Sequence, residues 1–154
     1  MLLPRALAAF LALPSMVAGV IPALIVAGMS PHRETLLLAL AVLALGSALL
    51  IWCVRDFFVA GRGTLAPWDP PKRLVVVGLY RYVRNPMYLS VLTIVGGWVL
   101  LYHSLWLLAY LAGLIVSFHL RVVYNEEPRL RRAFGAEWTT YAARVLRWLP
   151  RRAR

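Results

Sequence analysis

The uncharged runs constrain this chain more than any other feature. Residues 6–29, "ALAAFLALPSMVAGVIPALIVAGM", and 35–54, "TLLLALAVLALGSALLIWCV", contain no Asp, Glu, Lys or Arg, and neither does 85–120. A helix needs roughly 20 apolar residues to cross about 30 Å of hydrocarbon, so each of the first two runs is one span long. The third run, 36 residues, would reach about 54 Å as one helix at ~1.5 Å per residue, too long for a single crossing. Tyr102-His103-Ser104 interrupts it near the middle, which divides it into two short spans joined by a tight turn. With 62% hydrophobic and 15% charged residues and a mean hydropathy of +0.73, the chain lies outside the soluble globular range. The expected fold is all-α, an integral membrane bundle of four transmembrane helices over about 6–29, 35–54, 86–102 and 104–121. A cytoplasmic C-terminal helical segment completes a single membrane domain, 1–154.

The net charge of +11 is distributed unevenly. Of 17 Lys and Arg, Arg33 alone falls in the loop after the first span, and none falls in the turn between the third and fourth. The others lie at the N-terminus, in the central loop or at the C-terminal end, which share one side if there are four crossings. That is the positive-inside pattern, and it puts both termini of a multi-pass protein in the cytoplasm. The basic ends would meet anionic lipid headgroups, and this placement argues against nucleic acid as a partner. Arg5 ahead of an apolar run also fits a signal peptide, but the run is long for one and no soluble domain follows. Cys53, the single cysteine, lies inside the second span and reads as a buried apolar thiol.

Pro14 and Pro22 predict a kink in the first helix, with neighbouring helices satisfying the freed carbonyls. Arg55 and Asp56 mark the interface after the second span, and Gly61, Gly63 and Pro67 stop the helix. Leu74–Val77 reads as a short extended segment at the interface or against protein. Pro86 suits the first position of the third helix, with Asn85 as its N-cap. Gly96-Gly97 permits close helix packing. The fourth helix is expected to continue through Arg121 to Asn125, with a new helical stretch from Pro128 that stops at Gly135. Trp138, Tyr141, Val145 and Trp148 recur at helical spacing, which predicts an amphipathic segment lying at the interface.

Two polar clusters fall on the same side, 72–88 before the third helix and 121–127 after the fourth. A tight turn makes those helices antiparallel and brings the clusters together. The first is basic and aromatic, with free N–H groups at a helix start. The second offers adjacent carboxylates among arginines. A pocket between them suits a ligand carrying a carboxylate, an aromatic ring and a cation. Each part also has a plainer reading: Arg81 and Arg84 as topology anchors, Tyr80, Tyr82 and Tyr88 as an aromatic belt, Glu126 and Glu127 as helix caps. Adjacent acids do not share a helical face, so a paired-carboxylate acid/base site is not expected. His103 reads as a turn residue and His119 as a satisfied bundle histidine. There is no metal-ligand spacing, no glycine-rich phosphate loop and no nucleophile–base arrangement.

"GLYRYVRNPMY", a helical hairpin, then "NEEPRLRRAFGAEWTTYAARVLRWLP" closely resembles the isoprenylcysteine carboxyl methyltransferase family and its phospholipid methyltransferase relatives. The resemblance covers roughly Lys72 to Pro150; the first two helices match only in being apolar. It implies S-adenosylmethionine as cofactor, held in a cytoplasmic pocket under the membrane surface, and methyl transfer to a lipophilic acceptor. Carried over by position, it implies cofactor contacts from Lys72, Arg73, Leu74 and Val75, from Tyr80, from Asn85, Pro86, Met87 and Tyr88, and from Glu126. Asn85 stands where the family usually has histidine, so an amide keeps a hydrogen-bonding group there but no titrating ring. The family's substrate-contacting arginine falls nearest to Val122, with Arg121 one residue away as the substrate-contacting candidate.

Methyl transfer from a sulfonium needs positioning and exclusion of water more than acid/base groups, which agrees with a chain that shows no catalytic dyad. The acceptor can be isoprenylcysteine-carboxylate-like or phospholipid-like. Two other readings stay open at this point. One is an NADPH-dependent membrane reductase, because sterol reductases have a similar arginine–proline–tyrosine turn near their C-terminus. The other is a non-catalytic membrane scaffold or lipid-binding protein.

Overall fold

The computed structural model describes residues 14–61 and 73–150. The start of the first apolar run at 6–13, the loop through Gly63 and Pro67, Lys72 and the arginines at 151–154 lie outside them. The described residues form helices with no β-strand, apart from one isolated parallel bridge between Val83 and Leu146.

α1 (Ile21–Ile25) follows a π-turn, Met16–Val20, whose wide geometry is closed by the Ile21 N–H on the Met16 carbonyl. Pro22 accounts for it: the ring would clash with the carbonyl four residues back, and the wider turn relieves that clash. The carbonyls so displaced find partners on other helices. Trp98 Nε1 donates to the Ala18 oxygen and Tyr110 Oη to the Val17 oxygen, each at 2.9 Å.

α2 (Leu36–Gly61) runs on past the expected span, through Arg55 and Asp56. It packs on α3 (Pro86–Tyr102), and two glycines set how closely. A Cβ on Gly46 would stand 2.7 Å from Ile94 Cγ1, and one on Gly97 2.7 Å from Leu43 Cγ. Gly96 faces open space, so of the Gly96-Gly97 pair only the second makes the close approach.

α4 (Leu105–Arg121) returns antiparallel to α3 after a turn in which His103 adopts the left-handed conformation, φ 48°. Arg33–Asp56 and Leu105–Arg144 are long and apolar enough to cross a membrane; Met16–Ile25 and Pro86–Tyr102 are shorter apolar helices. Leu37, Leu45 and Ile51 on α2, and Trp106, Ile115 and Val116 on α4, face outward, the reverse of a soluble core pattern.

Beyond Arg121 the helix does not stop at Asn125. It passes through a second π-turn, Val122–Glu126, into α5 (Glu127–Arg144). The cause repeats that in α1: Pro128 follows this π-turn by the same two residues as Pro22 follows the first. At Gly135 the backbone leaves helical geometry (φ 51°, ψ −118°), so the stretch from Pro128 stops there as expected, and a second helical stretch carries α5 on to Arg144.

The expected interfacial segment is also different. Trp138, Tyr141 and Val145 are buried, covered by Leu74 and Val76 of the extended segment, while α5 ends at Arg144 and leaves Trp148 off the helix. That segment alternates sides as extended backbone must. Leu74 and Val76 meet the tryptophan cluster, and Val75 between them packs with Cys53 and Tyr80.

Candidate functional site

Because α3 and α4 form a tight hairpin, the residues just after Pro86 stand beside those around Arg121. This end of the hairpin is the mouth of the candidate site. Tyr88, on the first turn of α3, lays its ring against Phe118 of α4, with centroids 4.5 Å apart. Its hydroxyl donates to Glu126 Oε1, and Arg121 Nε donates to the same oxygen at 3.0 Å. Glu126 Oε2 accepts from no group among the described residues. A groove of about 500 Å³ opens alongside, lined by Ser117, Phe118, Leu120, Arg121, Tyr124 and Asn125. The Arg121 side chain is 60% exposed and lines this groove.

The neighbouring carboxylate is engaged differently. Glu127 Oε1 accepts from Arg84 Nη1 and from Arg147 Nε, both at 2.8 Å, and Oε2 accepts from Arg147 Nη2 at 2.9 Å. Burial pushes the Glu127 carboxyl up. The hydrogen bonds from Arg147 and the charges of Arg84, Arg147 and Arg131 outweigh this and hold it below the ordinary glutamate value. Burial lowers the Arg84 pKa, and Glu127 opposes it. The Arg84 guanidinium also stands 5.8 Å from the centre of a Trp138 ring.

The C-terminal segment 145–148 crosses this mouth. Leu146 forms the bridge to Val83 and accepts the Arg84 N–H at 2.9 Å. Trp148 Nε1 donates to His119 Nδ1 at 3.1 Å, and its ring stands edge-on to Tyr88 with centroids 6.4 Å apart. Beneath lies a packed layer. Tyr80 is buried, and its carbonyl accepts the Tyr141 hydroxyl at 2.7 Å. Gly78 adopts φ +54°, and any Cβ there would run into the Asp56 carboxylate, so glycine is required twice over.

The residues singled out from the sequence therefore divide into groups. Tyr88, Glu126 and Arg121 form one hydrogen-bonded chain. Val75, Tyr80 and Met87 pack around Cys53 next to it, and Pro86 is buried. Leu74 faces the other way, toward Trp138, and Arg73 is exposed. Lys72 lies outside the described residues. Asn85 does not cap α3: its backbone is at φ −123°, ψ 54°, and its Nδ2 donates to the Arg147 carbonyl at 3.1 Å. The long-range pull of the C-terminal segment takes the amide away from the helix start. His119 is exposed and serves Trp148 rather than the bundle interior. Val122, the position nearest the family's substrate-contacting arginine, is fully buried, whereas its neighbour Arg121 is exposed.

Arg84, Glu127, Arg147 and Trp148 were not assigned a part in the site from sequence. The sequence signal for the Arg84–Glu127–Arg147 ion pairs is opposite charges flanking a hairpin, which looks the same as topology anchoring. No group of three or more metal-capable side chains occurs among the described residues.

Chemically, the mouth offers the Glu126 carboxylate, tyrosine and tryptophan rings, and an arginine beside a groove, with no activated nucleophile among the described residues. No curated protein and no solved structure matches the chain. A family model described as phospholipid methyltransferase matches residues 34–137, which takes in α2, the whole hairpin, the second π-turn and the first half of α5. With that match spanning two thirds of its length, the chain belongs to the phospholipid methyltransferase family.

Proposed function

We propose that the protein is an integral membrane methyltransferase that uses S-adenosylmethionine and acts on a lipophilic acceptor, isoprenylcysteine-carboxylate-like or phospholipid-like. The observation that carries this reading is the Tyr88–Glu126–Arg121 chain at the mouth of the hairpin, within the family match and beside an open groove. The residues present fit the cofactor's chemistry. Glu126 has a carboxylate oxygen without a partner among the described residues, suited to a cation or a ribose hydroxyl, and Tyr88 and Trp148 supply aromatic faces. When bound, S-adenosylmethionine would supply an electrophilic methyl group on a sulfonium.

In this reading Lys72, Arg73, Leu74, Val75, Tyr80, Asn85, Pro86, Met87, Tyr88 and Glu126 hold the cofactor through side chains or backbone. Arg121, exposed at the groove, orients the acceptor. The outward apolar faces of α2 and α4 keep the acceptor's tail in lipid while its head reaches the mouth. All of it belongs to one membrane domain of four crossings, with both termini and the mouth in the cytoplasm.

Binding of S-adenosylhomocysteine tests the cofactor. At 100 times Kd it should raise stability by about 2.7 kcal/mol, whereas NADPH should not. An unchanged melting temperature with S-adenosylhomocysteine overturns the proposal. Labelled methyl transfer into a total membrane lipid extract would then identify the acceptor. For the topology, cysteines replacing Arg33 and Lys72, in a chain lacking Cys53, should be labelled from opposite faces of the membrane. Labelling of both from one face removes the four-span arrangement.

A further inference from the structure

Glu127 is already engaged on both carboxylate oxygens, in three hydrogen bonds. The donors are arginines from segments remote in sequence: Arg84 ahead of α3 and Arg147 beyond α5. Those two arginines belong to the two strands of backbone that meet at the Val83–Leu146 bridge. Every other link of the C-terminal segment follows from that junction. The Arg84 N–H reaches Leu146, the Asn85 amide reaches Arg147, and Trp148 arrives within hydrogen-bond distance of His119. Past Arg144 the helix ends; Val145 is anchored in the apolar cluster with Trp138 and Tyr141, and beyond it residues 146–148 are placed by these contacts. Its tip is Trp148, whose ring stands edge-on to Tyr88, the same tyrosine that bonds Glu126.

We propose that Glu127 is a positioning residue that clamps the segment 145–148 across the mouth, and that Trp148, so held, is the wall that retains the cofactor. The proposal rests on the reading of the mouth as the cofactor site. It separates the two adjacent glutamates by task. Glu126 faces the ligand, and Glu127 faces the closure. Bidentate arginine–carboxylate geometry suits the second task because it fixes orientation as well as distance. A single aromatic wall over a bound ligand acts mainly on its escape, so the effect belongs in the dissociation rate.

The test uses the full-length protein in detergent or nanodiscs and follows S-adenosylhomocysteine release after dilution. Trp148→Ala leaves the Glu127–Arg84–Arg147 triad intact, so its folding is preserved and it isolates the wall. It should release the ligand about tenfold faster than wild type with little change in melting temperature, while Trp148→Phe, which keeps a ring, should stay within about threefold. Glu127→Gln should show the same fast release.

A second readout needs no cofactor. Trypsin cleavage at Arg147 in the ligand-free protein should be about tenfold faster in Glu127→Gln than in wild type, because cleavage follows local opening. Wild-type release rates in Trp148→Ala, or unchanged cleavage at Arg147 in Glu127→Gln, overturn the clamp while leaving the cofactor reading intact. Absence of binding to the wild type overturns both.

Discussion

The two ends of the α3–α4 hairpin are closed by different chemistry. At the His103 turn the contacts are neutral and mostly to backbone. Thr35 Oγ1 donates to the Leu100 carbonyl at 2.7 Å, the His32 N–H to the Leu101 carbonyl at 2.8 Å, and the His32 and His103 rings stack 4.3 Å apart. At the mouth, two ion pairs, Arg84–Glu127 and Arg147–Glu127, join segments that the chain itself leaves apart, and a third, Arg121–Glu126, spans the π-turn. A short turn already holds two helices together, so neutral bonds suffice to trim it. A junction of three remote segments needs strong, directional contacts, because each must offset the entropy of ordering its segment. The ionic end is also the end with the groove and with the carboxylate oxygen of Glu126 that has no partner among the described residues.

That contrast predicts a graded series. Removing a charge from the clamp should have the largest effect. Glu127→Gln leaves two partly buried arginines facing a neutral amide and should lower stability by about 2–3 kcal/mol, measured by thermal or denaturant unfolding in detergent. Loss below 0.5 kcal/mol would mean that the mouth is no more ionic in its energetics than the turn.

The same clamp gives a pH signature. The folded Glu127 carboxyl titrates below its ordinary value, so its contribution is complete above the unfolded pKa of about 4.3 and is lost as pH falls through the lower folded value. The stability gap between wild type and Glu127→Gln should therefore be constant near neutrality and close in acid. A gap that persists unchanged at low pH would assign the effect to packing.

Next comes Glu126→Gln. Little stability depends on this partly exposed group, but one charge-assisted contact to the ligand is removed. S-adenosylhomocysteine affinity should drop about tenfold, read by calorimetry. Wild-type affinity would make Glu126 an anchor for Arg121 and nothing more. The smallest effect is expected at the opposite end. Thr35→Val should cost about 1 kcal/mol and leave ligand affinity unchanged. A change in affinity there would couple the two ends and undo the contrast.

Much of the architecture is legible in the sequence because membrane helices are written in long runs. Pro86 and Tyr102-His103-Ser104 bracket the hairpin, and a short hairpin forces Tyr88 toward Glu126. The rest depended on partners that local pattern does not encode. Trp138 and Tyr141 show a helical apolar stripe, but nothing local says that Leu74 and Val76 cover it rather than lipid. Asn85 ahead of Pro86 has the composition of a cap, and only the return of Arg147 from 62 residues away redirects its amide. The pairing of Glu127 with two arginines, against one for Glu126, was equally hidden. On an ideal helix either acid could have served either role.

The second π-turn sets the heading of the chain beyond those acids. Glu127 closes its ring on the Val122 carbonyl, one residue further back than an α-helix would. A single surplus residue there acts as a phase shifter. Everything downstream, from Pro128 to the tip at Trp148, is rotated by about 100° relative to the helix that precedes it. The heading of the chain that carries Arg147 and Trp148 is therefore written in residue count rather than in side-chain identity. Deleting one residue at the exposed Asn125 would keep every charge in the mouth yet swing the whole C-terminal portion onto a different heading, a change that no compensating point substitution could reverse.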